Sequence, residues 1–123
     1  MRDNSELTLR KQKDFVRIYN HGTSKGSKYV VVIYKKNNLG YTRTAFVSSK
    51  KVGNSVQRNR SRRLMRESFR SFSQRVKEGF DIIFVARNFI NEAGEKEVER
   101  AMFGAVRACG LIKDRDDQPV TQK

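Results

Sequence analysis

Apolar positions recur along this chain in two rhythms, one helical and one extended. Between residues 11 and 20, Phe15, Val16, Ile18 and Tyr19 predict a short helix, stopped by the breaker Asn20-His21-Gly22. Residues 29–34 read Tyr-Val-Val-Val-Ile-Tyr, a β-branched and aromatic run that predicts a strand, and residues 42–48 predict a second. Asn37-Asn38-Leu39-Gly40 supplies turn residues between them, so the pair reads as an antiparallel hairpin. After Gly53, Asn54 or Ser55 can cap a helix running to about residue 76. Its buried stripe is Ser61, Leu64, Met65, Ser68, Phe69, Phe72 and Val76. Residues 80–86 form a third strand, apolar enough to be central. From Glu92 onward, Val98, Ala101, Met102, Ala105, Val106 and Cys109 repeat at helical spacing, and Gly110 closes this last helix.

The order is helix, strand, strand, helix, strand, helix, which fits helices packed on one face of a small sheet. Residues 1–9 and 113–123 are polar, the latter carrying the single proline, Pro119, so both ends are expected to be flexible around one domain at 10–112. A chain of 123 residues with twelve aromatics supports one modest core.

Charge changes the picture most. Twenty-seven basic residues against 13 acidic give a net charge of +14, which calls for a polyanionic partner. No apolar run approaches the roughly 20 residues needed to span a bilayer, and the first ten residues lack the apolar core of a secretory signal, so a soluble cytoplasmic protein with no membrane association is expected. One cysteine excludes an internal disulfide, and one cysteine beside one histidine excludes the usual zinc cage.

The basic residues are concentrated. Between residues 50 and 75 there are nine, against the single acid Glu67. Arg58, Arg62, Arg66 and Arg70 follow at i, i+4, i+8 and i+12, so a helix stacks them in one row opposite Leu64, Met65, Phe69 and Phe72. Like charges at that spacing cost a few tenths of a kcal/mol per pair unless an anion neutralises them. Phosphates would do so, and guanidinium groups grip them with paired hydrogen bonds. Asn59 adds an amide able to read a sugar or base edge. A merely solvated face usually mixes signs, which this one does not. A second cluster is aromatic: Phe15 and Tyr19 sit one turn apart, near Lys11, Lys13, Arg17, Lys25 and Lys28. They are either base-stacking groups or core anchors.

Catalytic constellations are missing from the sequence. His21 has no paired carboxylate or nucleophile nearby and reads as a capping or packing residue. Glu92, Glu95, Glu97 and Glu99 favour the positive end of a helix dipole. Cys109 completes an apolar stripe.

Residues 49–67, Ser-Lys-Lys-Val-Gly-Asn-Ser-Val-Gln-Arg-Asn-Arg-Ser-Arg-Arg-Leu-Met-Arg-Glu, closely resemble the signature of the bacterial RNase P protein family, whose hallmark is an Arg-Asn-Arg helix. Asp14-Phe15 with Tyr19, His21-Gly22-Thr23-Ser24, and Phe-Asp-Ile-Ile-Phe-Val-Ala-Arg at 80–87 add to the resemblance, which covers about residues 7–111. It implies an α+β fold, a single-domain α/β sandwich of the ribosomal S5 domain 2-like type in the order α-β-β-α-β-α, with a left-handed crossover against the usual rule. It also implies that Arg58, Asn59, Arg60, Arg62, Arg63 and Arg66 bind a catalytic RNA, and that a cleft at Phe15, Tyr19, Ile33 and Lys50 holds the 5′ leader of precursor tRNA. Ile33 stands where the family can carry an aromatic, with Tyr34 beside it. By the same resemblance, one protein joins one RNA, and Mg²⁺ held mainly by that RNA activates water and stabilises the leaving oxygen. Three other readings compete: a structural RNA-binding protein of ribosomal type, a DNA-binding domain with residues 58–70 in the major groove, and a stand-alone nuclease. The few discriminating amides argue against the second, and the dispersed acids against the third.

Overall fold

The computed structural model describes residues 8–113. Helix α1 (Gln12–His21) is followed by strands β1 (Thr23–Gly26), β2 (Val30–Lys36) and β3 (Arg43–Val47), helix α2 (Ser55–Arg70), strand β4 (Phe80–Ala86) and helix α3 (Glu95–Ala108). The sheet order is β1-β2-β4-β3, antiparallel except for the parallel pair β3 and β4. The expected sequence of main elements is therefore present, with one strand added. That strand, β1, reads Thr-Ser-Lys-Gly and is exposed throughout, so it carries no apolar alternation. Pairing of its backbone with β2 creates it.

The expected hairpin does not form: β4 lies between β2 and β3 and pairs with both. Ile82, Ile83 and Phe84 are fully buried, as befits the most continuously apolar strand at the sheet centre. The turn residues are real, but they lead the chain across two strand spacings rather than one. Asn38 adopts φ 61°, and Asn37 Oδ1 accepts from Leu39 N (2.7 Å), the local bonding that suits asparagine to turns.

Helices cover both faces, not one. Alternation along the strands sends Val30, Val32, Ile82 and Phe84 into a core under α2 and α3, while Ile33, Ile83 and Ala45 meet Ile18 of α1 on the other face. Leu9, assigned by its polar neighbours to the N-terminal stretch, joins the second core: it is 3% exposed, and its N–H donates to Thr44 O (2.9 Å). The remaining end segments, 1–7 and 114–123, lie outside the described residues.

Helix α2 stops at Arg70, short of the expected 76. Ser71 Oγ donates to Ser68 O (2.7 Å), the kind of local hydroxyl bond that competes with helix continuation. Phe72 and Val76 remain buried on either side of a short 3₁₀ turn, so the apolar spacing reported burial and overstated helix length. Helix α3 begins at Glu95 rather than Glu92, where the Gly94 N–H donates to Glu97 Oε1 (2.8 Å). It ends as expected at Gly110, whose φ of 77° suits glycine.

Candidate nucleic-acid interface

Asn54 starts α2, resolving the choice between it and Ser55. Its Oδ1 accepts from Gln57 N (3.0 Å), and Gln57 Oε1 accepts from Asn54 N (2.8 Å), a reciprocal capping box. Gly53 makes room for it: at φ 150°, an added Cβ would stand 1.9 Å from Gln57 Oε1. Below the cap, Ser61, Met65 and Ser68 face inward. Ser61 Oγ is hydrogen-bonded to Ser48 Oγ (2.7 Å) and to the Arg58 carbonyl (2.8 Å). Phe69 clusters with Phe46, Phe72 and Phe84 at ring separations of 5.3–6.0 Å, fastening the helix to the sheet.

This seating sorts the arginines into two kinds. The arginine row does not lie opposite the apolar stripe as expected: at about 100° per residue, Arg58, Arg62 and Arg66 run down the flank of α2 next to Phe69, each with a protein partner. Arg58 Nη1 donates to Gly53 O (2.9 Å), Arg62 donates to Asn59 Oδ1, and the Arg66 guanidinium lies 5.5 Å from the centre of the Phe46 ring. Arg70, at the exposed end of the same row, meets Glu67 at 3.4 Å. Arg60 and Arg63 point outward, and their side chains have no hydrogen-bond or ion partner among the described residues. Lys50 and Lys51 stand exposed in the loop after β3, where the Val52 N–H donates to Ser49 O (3.0 Å) and the Gly53 N–H to Lys50 O (3.2 Å). The row at i, i+4 is thus the pre-ordered part of the surface, and the unpartnered charge lies beside it.

The aromatic cluster sits across the sheet. Phe15 and Tyr19 stack with centroids 6.4 Å apart and planes inclined by 28°. Phe15 is half-buried against Ile18, Ile83 and Ala45, whereas Tyr19 is 47% exposed. The open alternative therefore divides: Phe15 anchors the core with one side of its ring, and Tyr19 is no core residue. Ile33 lies on this face, half-buried, while Tyr34 turns to the other face and packs edge-on against Phe80 at 6.2 Å. Helix α1 crosses only part of the sheet, leaving Val31, Val47 and Val85 partly buried on the same sheet face. Gly22 brings the end of α1 this close, since a Cβ there would lie 2.5 Å from Ile18 O and 2.8 Å from Tyr34 O. The two surfaces meet along edge strand β3, where Phe46 turns towards α2 and its neighbour Val47 towards the open face.

The cations expected around the aromatics are dispersed. Lys25 pairs with Val32 and so faces the α3 side, and Lys28 covers the Tyr29 ring at 5.4 Å. Arg17 belongs to a network that sequence reading missed. Fully buried Asp81 accepts from Arg17 Nη2 (2.6 Å), Arg43 Nη2 and Nε (2.8 and 2.9 Å) and Asn37 Nδ2 (2.9 Å). Asp14 joins through Arg17 (3.3 Å) and Arg43 (3.6 Å). Burial alone would raise the Asp81 pKa, yet these hydrogen bonds hold its carboxyl below the ordinary range. An aspartate within an otherwise apolar central strand was the available signal. Cys109 is half-buried, and burial pushes its thiol up, against the nearby charge of Lys25 and a hydrogen bond with Tyr34. His21 ends α1 in an exposed position, and Glu97 serves the start of α3.

Two surfaces joined at one edge, one arginine-lined and one aromatic, suit an RNA that is held by its backbone and stacked by its bases. The Ribonuclease P family profile matches residues 4–110. The chain belongs to the RNase P protein family. The Ribonuclease P protein component of Thermoanaerobacter sp. (strain X514) is 46% identical over 96 residues, spanning 78% of this chain and 83% of that relative. That of Alkaliphilus metalliredigens (strain QYMF) is 42% identical over 108 residues, 88% and 97% of the two chains. The RNase P protein structure from Staphylococcus aureus superposes with a TM-score of 0.78 at 27% identity, covering 87% of this chain and 98% of that one. The Thermotoga maritima RNase P protein gives 0.75 at 28%, covering 82% and 96%. As a member of this family the chain is a subunit of the RNase P endoribonuclease holoenzyme, a partner of RNase P RNA in processing tRNA 5′ ends. No helix among the described residues is long and apolar enough to cross a membrane.

Proposed function

We propose that this subunit, working in the cytoplasm as one protein per RNA, grips the catalytic RNA with α2 and the preceding loop while its α1 face holds the 5′ leader of precursor tRNA. The carrying observation is the Phe15 and Tyr19 stack, open on a half-exposed apolar face that meets the arginine-bearing helix along β3. Arg60, Arg63, Lys50 and Lys51 supply unpartnered charge for phosphates, and Arg58, Arg62 and Arg66 supply guanidinium groups already oriented by their partners. Tyr19 offers a ring to a leader base, with Phe15 fixing its position and Ile33 and Lys50 completing the groove. Among the described residues, no three His, Cys, Asp or Glu side chains are grouped to hold a metal ion. Mg²⁺ would be held mainly by the RNA, where it would activate the attacking water. The protein's own part is binding and alignment.

The test is precursor-tRNA cleavage by a bacterial RNase P RNA at low Mg²⁺, with and without the protein, on substrates that carry or lack an extended leader. Leader-dependent stimulation is expected. Tight, salt-sensitive RNA binding without stimulation would favour a structural RNA-binding role of ribosomal type instead.

A further inference from the structure

Helix α1 has two flanks, and only one borders the aromatic face. At about 100° per residue, Phe15 and Tyr19 fall on one side of inward-pointing Ile18, and Asp14, Arg17 and Lys13 on the other. On that second side lies an open depression of about 660 Å³ between α1, the end of β2 and the turn that follows it. Six cations line it: Lys11, Lys13, Arg17, Lys35, Lys36 and Arg43. Arg17 and Arg43 are neutralised by Asp14 and Asp81. The four lysines have no ion partner among the described residues. A concave wall carrying four uncompensated positive charges has the form of a polyanion site.

Its position selects the anion. The depression shares a sheet face with the Phe15 and Tyr19 groove, whereas α2 packs on the opposite face. Along β2, the groove's Val31 and the depression's Lys35 are four residues apart, roughly 13 Å at strand rise, with α1 between them. Val16, 46% exposed, stands on the crest of α1 between Tyr19 and Lys13, so the way across offers an apolar step rather than a charge barrier.

We propose that Lys11, Lys13, Lys35 and Lys36 bind the phosphodiester backbone of the distal 5′ leader after it has left the aromatic groove and passed over α1. The inference rests on the leader reading above and extends it to a second, charge-based site for longer precursors. Crossing α1 requires roughly four to eight further nucleotides at about 3.4 Å per stacked step.

The experiment compares holoenzymes assembled with the wild-type protein and with the Lys11→Gln/Lys13→Gln/Lys35→Gln/Lys36→Gln variant. Binding is measured for precursors with leaders of about four and about twelve nucleotides, over a salt series. The wild type is expected to bind the longer leader more tightly, and the variant to lose roughly tenfold on that substrate alone. The log-log salt slope should fall by about two to three, at 0.7 per single-strand phosphate contact. Replacing the same four lysines with arginine keeps the charge and should keep the gain from length. Unchanged binding of the long leader would overturn the inference. So would an equal loss on short leaders and on bare catalytic RNA, which would put the site on that RNA. Failure of the underlying leader reading looks different: Tyr19→Ala would then leave binding of the short leader untouched.

Discussion

Asp81→Asn removes the charge at the centre of the α1-face network while changing the side chain's shape little. The aspartate accepts four hydrogen bonds from Arg17, Arg43 and Asn37 and is fully buried, whereas the two arginine side chains retain 32% and 21% exposure. An asparagine has one accepting oxygen, and its amide would face donors. Stripping a partner from a fully buried ion pair costs about 3–5 kcal/mol, which the exposure of the arginines reduces to about 2–3 kcal/mol. For a domain of this size, that lowers Tm by about 10 °C. The sign with pH follows from the depressed pKa of Asp81. Its contribution is fully present above the unfolded carboxyl value near 4 and is lost as pH falls through the lower folded value. Urea unfolding followed by circular dichroism at pH 7, 5 and 3 should show a gap between wild type and variant that is full at pH 7 and narrows at pH 3. Because the network fastens α1 to β3 and β4, leader affinity should fall at 25 °C while catalytic-RNA affinity holds. Equal stability at pH 7, or a gap that persists undiminished at pH 3, would refute the reasoning.

The arginine surface gives a paired comparison. Arg63→Gln should weaken binding of the catalytic RNA with a shallower salt slope and an unchanged melt, whereas Arg58→Gln should also lower Tm, because it releases the Gly53 carbonyl. Gly53→Ala, which drives a Cβ into the Gln57 amide, should destabilise α2 by about 1–2 kcal/mol, read as lost helicity and weakened RNA binding together. Tyr19→Ala should reduce affinity for leader-bearing precursor by about 1–3 kcal/mol at constant stability, measured against a leaderless substrate. Phe15→Ala should lower both affinity and Tm, since its ring serves the groove and the core.

Much of this was legible in the residues themselves, because short-range rules govern it. Helical spacing placed Met65, Val98 and Met102 inside, the continuous run at 80–86 marked the central strand, and the arginines stood out by charge alone. What escaped reading is non-local. Nothing in residues 29–48 shows that the strand at 80–86 will separate them, since a turn motif leading to an adjacent strand and one leading past it use the same asparagines. Thr23–Gly26 becomes a strand only because β2 offers it an edge. The Asp14, Arg17, Arg43 and Asp81 network joins residues up to 67 positions apart, and only folding shows that Arg17 turns from the aromatic groove towards Asp81.

The central place of β4 bears on the order in which the molecule can be made. Both β2 and β3 pair with a strand that leaves the ribosome after the whole of α2, so a nascent chain ending before residue 80 holds the arginine-bearing helix without the completed sheet. Assembly is therefore timed by synthesis. The positive charge of α2 is translated first, and the scaffold that gives it direction is completed last.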